Sequence, residues 1–147
     1  PMNCTVPRFR LIVAMICSSA AVSTTNLDAD WPMWRADPAR TAATREQLPS
    51  QLTLHWSLRL ATPRPAWPPE QGKLRFDVSY EPVVAGGRLF GPSMVHDCVS
   101  AYAVADGRHL WTFFADAPVR FAPLVYRQRV LFVSDDGYLY CVSADIG

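Results

Sequence analysis

The chain has no excess of charge of either sign: Lys and Arg total 14 against 13 Asp and Glu, a formal net charge of +1. That balance provides no electrostatic footprint for nucleic acid or an anionic lipid surface. No apolar run reaches the roughly 20 residues that a bilayer-spanning helix needs. Glycine is scarce at seven residues, while proline reaches thirteen and tryptophan five. Proline inside a helix costs about 3 kcal/mol, so long helices are disfavoured. The catalytic signatures G-x-S-x-G, H-E-x-x-H, C-x-x-C, G-x-G-x-x-G and the phosphate loop are all missing. What is present is 147 residues, half of them hydrophobic and 18% charged, the composition of a folded body with one modest core.

The first 23 residues read as a targeting segment. Arg8 and Arg10 precede an apolar run from Leu11 to Ile16, and small residues follow through Ala21. This is the order of a secretory signal peptide, which implies a periplasmic or extracellular protein with no membrane span after cleavage. The alternative is an uncleaved amino-terminal anchor, which the short run disfavours. Lipid attachment at Cys17 is disfavoured because Ile16 stands where Gly, Ala or Ser is wanted. Removing the segment leaves Cys98 and Cys141, 43 positions apart. If they occupy comparable positions in neighbouring repeats, they lie beyond the approximately 7 Å Cα limit for a disulfide, and two buried free thiols are expected.

From residue 24 to 76 the chain is a lead-in. Leu52, Leu54, Trp56, Leu58 and Leu60 alternate with polar residues, the period of a strand with one buried face. A loop with Pro63, Pro65, Pro68 and Pro69 follows, and Trp67 is expected to pin it to the body. Residues 77 to 147 read as two copies of one unit. Pro82-Val83-Val84 through Arg88-Leu89-Phe90 is echoed at an offset of 41 by Pro123-Leu124-Val125 through Arg129-Val130-Leu131-Phe132. Val99 to Gly107 is echoed at an offset of 40 by Leu139 to Gly147. Gly86-Gly87 and Asp136-Gly137 are hairpin signals, and the acidic spacing around Asp136 is wrong for a calcium loop. Each copy gives three strands, and the first adds a fourth from His109 to Phe114. Four short strands per 40 or so residues is the period of a β-propeller blade.

The stretch Ala101-Tyr102-Ala103-Val104-Ala105-Asp106-Gly107-Arg108-His109-Leu110-Trp111 resembles the repeat of PQQ-like β-propellers, roughly A-x-D-x-x-T-G-x-x-x-W. Ala101, Gly107 and Trp111 match, whereas Ala103 and Asp106 replace the usual Asp and Thr. In the second copy Gly147 matches, but Cys141, Ser143 and Ile146 depart from the pattern. Asp30-Trp31-Pro32-Met33-Trp34-Arg35 looks like the lead-in of secreted bacterial members. The resemblance implies an all-β fold of four-stranded antiparallel blades: a ring-closing strand, one full blade and part of a second. Gly107, Trp111, Gly147 and Trp56 would anchor neighbouring blades. A ring of about eight blades needs some 320 residues, so the expectation is an amino-terminal piece whose remaining blades lie outside this chain.

The functional expectation is an exported scaffold, non-enzymatic as it stands, with a protein or carbohydrate partner. The alternative is the front part of a PQQ-dependent quinoprotein dehydrogenase, with PQQ bound only in the full-length protein. Such enzymes typically carry an adjacent Cys-Cys pair and a Glu, Asn and Asp calcium site, and this chain has no adjacent Cys pair. Ser79 and Arg120, which precede the innermost strands, are weak channel-rim candidates for a ligand; otherwise Arg120 is a surface residue paired with Asp116. No catalytic or metal residue is assigned. Ser93, His96 and Asp97 lie close in sequence, but on an unconstrained hairpin loop. His55 and His109 fall on strands without a second ligand at metal spacing.

Overall fold

In a computed structural model, residues 30–73 and 75–147 are described, so the targeting segment lies outside the described residues. The seven strands among the described residues fall in the two expected copies: β1 (Val83–Ala85), β2 (Arg88–Ser93), β3 (Cys98–Ala103), β4 (His109–Phe114), β5 (Leu124–Tyr126), β6 (Arg129–Val133) and β7 (Leu139–Ser143). The fold is all-β, with no helix among the described residues. β1 to β4 form one antiparallel sheet in chain order, and β5 to β7 form a second.

The turns explain the order. Gly86 and Gly87 both adopt positive φ, which brings Val83 opposite Phe90 in a tight hairpin. The second copy makes the same turn with Arg127 and Gln128, at φ of 46° and 61°, without glycine. The lead-in is laced along β1 and β5. Trp31 and Val84 exchange two backbone hydrogen bonds, and Val125 donates to the Pro32 carbonyl. Asp30 accepts from the Gly86 amide at 3.0 Å.

The core lies between the two sheets. Phe90, Val99, Ala101 and Trp111 face Val130, Phe132, Val142 and Ala144, with Val119 of the connecting segment buried among them. Phe113 meets Phe132 and Tyr140 edge-on at centroid distances of 5.8 and 5.4 Å. Each fully buried Phe or Val here stabilises the sheet pair by about 1.5 to 3 kcal/mol relative to exposure.

Three sequence expectations need correction. Leu52 to Leu60 is irregular rather than a strand with a buried face. It joins no ladder among the described residues, and Leu52, Leu54, Leu58 and Leu60 are exposed. A strand is stabilised by its neighbours, and none among the described residues pairs with this segment. Cys98 is buried, but Cys141 is exposed. The repeat makes Ala101, not Cys98, the counterpart of Cys141; Ala101 is covered by the second sheet, while nothing described covers Cys141. Trp67 does not pin the proline-rich loop: it stands exposed with the Lys73 ammonium 3.6 Å from its ring centroid.

Candidate functional site

Two groups of side chains gather where β1 and β5 begin. In the first, Arg120 lies on the connection between the sheets, and its side chain is only 11% exposed. Its Nε donates to Asp135 at 2.6 Å, and its Nη1 donates to Asp77 at 2.9 Å and to the Arg64 carbonyl at 2.9 Å. Asp77, 1% exposed, also accepts from the Ala66 amide at 2.8 Å. Arg120 is therefore no surface partner of Asp116, whose amide instead donates to Asp136. One guanidinium ties together the proline-rich loop, the approach to β1 and the β6–β7 turn. With two carboxylates and a carbonyl on it, it is a structural clasp rather than a free anion receptor. Ser79, the other rim candidate, is exposed on the loop that leads into β1.

The second group is an aromatic cleft of about 340 Å³ lined by Trp34, Arg40, Phe76, Glu81, Phe121 and Ala122. Phe76 and Phe121 stack at 5.2 Å with planes 15° apart, and Arg40 sits 5.1 Å from the Trp34 ring centroid. Trp34, Phe76 and Phe121 remain substantially exposed. Apolar ring faces flanked by a guanidinium and a carboxylate suit an amphipathic ligand with one flat apolar face and several hydroxyls. Phe121 and Ala122 follow Arg120 in the sequence, but Trp34, Arg40, Phe76 and Glu81 come from distant parts of the chain with no shared motif.

The remaining polar residues have structural work. Ser93 Oγ accepts from the amides of Val95 and His96, so it closes its own loop instead of facing a histidine ring. His55 donates to the Ala105 carbonyl at 2.6 Å, and His109 pairs with Thr112 at 2.8 Å. Asp136 accepts from the Tyr138 amide, the Tyr140 hydroxyl and the Asp116 amide. Burial works to raise the Asp136 carboxyl, but the combined donors hold it below its usual value. The same hydrogen bond, first among its causes, pushes the Tyr140 hydroxyl upward. Burial raises the Cys98 thiol.

Trp56, Gly107, Trp111 and Gly147 form two matching pairs. Trp56 donates from Nε1 to the Val104 carbonyl at 2.7 Å, and its ring lies against Gly107. Trp111 donates to the Ala144 carbonyl at 3.1 Å, and its ring lies against Gly147. The two acceptors and the two glycines are each 40 positions apart.

PQQ with calcium does not fit the described residues. No group of three or more His, Cys, Asp or Glu among them could hold a metal ion, and Arg120 is already engaged by two carboxylates. No helix among the described residues is long and apolar enough to cross a membrane. No protein-family model matches the chain, and no curated protein matches it.

Proposed function

We propose that this chain is part of an exported β-propeller scaffold of the PQQ-like repeat type, non-enzymatic as it stands, which binds a carbohydrate or protein partner. The observation that carries this reading is the repeated anchor: a Trp from one extended segment lies on the Gly turn of the next sheet and donates to the carbonyl three residues before that Gly. It occurs at Trp56 with Gly107 and again at Trp111 with Gly147. Radial repetition of sheets joined in this way is how propellers are built. The aromatic cleft supports a carbohydrate, because Phe121 and Trp34 offer stacking faces beside groups that can bond hydroxyls.

Calorimetric titration of the exported chain against a panel of neutral and acidic oligosaccharides tests the reading. Saturable binding by at least one, weakened at least tenfold in Phe121→Ala, is the expected result. A saturable complex with PQQ and calcium, with no oligosaccharide bound, would overturn it.

A further inference from the structure

The cleft that bears Phe121 is walled on one side by a tightly wound loop. Between Trp34 and Ala42 four residues other than glycine take left-handed backbone: Arg35 at φ 60°, Ala36 at 73°, Arg40 at 56° and Ala42 at 52°. Side-chain sterics make that region costly for residues other than glycine, so such a run persists only where its surroundings fix it. Here the loop ties itself. The Ala36 amide donates to the Met33 carbonyl at 3.0 Å, the Arg40 amide to the Asp37 carbonyl at 2.9 Å and the Ala42 amide back to the Arg35 carbonyl at 3.1 Å. The Asp37 carboxylate accepts from the amide and the hydroxyl of Thr41.

This winding sets two guanidiniums on one indole. Arg40 lies 5.1 Å and Arg35 5.6 Å from the Trp34 ring centroid. A guanidinium held against an aromatic ring keeps its in-plane N–H donors, a fork that matches the oxygens of a carboxylate or a phosphate-like anion. The ion pairs among the described residues use Arg88, Arg108 and Arg120, and neither Arg35 nor Arg40. Asp37, the acid nearest to both in sequence, is turned to Thr41 instead. Trp34, Arg40 and Ala122 also line a second cavity of about 350 Å³ beside Pro123 and Leu124, so Arg40 stands in the wall of two adjoining hollows.

We propose that the cleft takes an acidic oligosaccharide, whose carboxylate or sulfate group is held by Arg40, with Arg35 adding to the local positive field. The inference rests on the carbohydrate reading of the same cleft and names its ligand class. Two adjoining cavities suit a ligand of more than one sugar ring, with the charged substituent at the Arg40 wall that they share. Glu81 lines the first cavity; its carboxylate accepts from hydroxyls and repels an anionic group, which directs the ligand's charge to the Arg40 side. An acidic peptide also satisfies a guanidinium. The exposed, stacked rings of Phe76 and Phe121 favour the sugar, whose flat C–H face covers apolar area that a carboxylate-rich peptide leaves wet.

Calorimetric titration of the whole chain uses matched pairs: pectin and alginate tetrasaccharides beside their carboxyl-reduced counterparts, and a carrageenan tetrasaccharide beside its desulfated one. At about 0.01 M salt at least one acidic member should bind about tenfold more tightly than its neutral counterpart, and raising the salt to about 0.15 M should remove most of the difference. A preference among the pectin or alginate pairs assigns a carboxylate, and one in the carrageenan pair a sulfate. Arg40→Gln should cut the ratio of acidic to neutral affinity about fivefold or more, because a charge-assisted hydrogen bond is lost. Arg35→Gln should cut it less, and Phe121→Ala should weaken both members of a pair. Arg35 and Arg40 are exposed, so thermal melts of their variants should match the parent. Neutral members bound as tightly as acidic ones overturn the proposal and leave the carbohydrate reading in place. So does an acidic preference that survives both arginine variants. A hexaglutamate peptide bound more tightly than every saccharide overturns it and makes the partner a protein. No binding by any saccharide, acidic or neutral, removes the carbohydrate reading and this proposal with it.

Discussion

The indole of Trp111 lies so close over Gly147 that a Cβ built on the glycine would come within 3.1 Å of the ring. Gly147 has a φ of +83°, so the position favours glycine for its backbone as well as for its bare surface. Trp56 and Gly107 repeat the contact more tightly, at 2.8 Å and φ +72°. Trp111→Ala should cost about 3 to 5 kcal/mol, the range for truncating a buried aromatic. Gly107→Ala should cost at least about 1 kcal/mol from the left-handed backbone alone. Urea melts of the parent and both variants measure these losses. A Trp111→Ala protein that melts with the parent would refute the anchor.

Arg120→Ala should be among the most damaging substitutions in the molecule. It leaves the carboxylate of Asp77, 1% exposed, without its cation, and breaking such a pair costs about 3 to 5 kcal/mol. Adding Asp77→Asn should recover part of the loss, because the uncompensated charge is then removed. Chemical denaturation of the two single variants and the double variant gives the coupling. Purely additive losses would count against the clasp.

The Arg127-Gln128 turn holds two side chains in left-handed backbone that its counterpart gives to Gly86 and Gly87. Gln128→Gly should therefore stabilise the protein, by up to about 1 kcal/mol after the added flexibility of the unfolded chain is allowed for. A thermal melt that moves upward confirms it; a fall in midpoint shows that the Gln128 side chain contributes more than the strain removes.

Asp136 makes stability depend on acid. Its carboxyl titrates below the ordinary value of 3.8 in the folded protein, so its contribution is fully present above 3.8 and is lost as pH falls through the lower folded value. The stability difference between the parent and Asp136→Asn should hold constant from neutral pH down to about 4 and narrow below it. Denaturant melts at a series of pH values follow the difference, and one that stays flat through the acid range would contradict the assignment.

The sequence alone was sufficient for what depends on near neighbours. The repeated unit and its turn residues located the seven strands found among the described residues, because a hairpin is set by a few consecutive backbone angles. The 40-residue echo likewise related Gly107 to Gly147. Tertiary structure decided everything that depends on what comes to lie opposite. Arg120 met Asp77 and Asp135, 43 and 15 positions away, although Asp116 was nearer in sequence. Cys141 stayed exposed where its counterpart Ala101 is covered, since burial belongs to the neighbouring sheet and not to the residue. Leu52 to Leu60 has the alternation of a strand but no ladder, because hydrogen bonds between strands need a second edge, and an alternating pattern does not supply one.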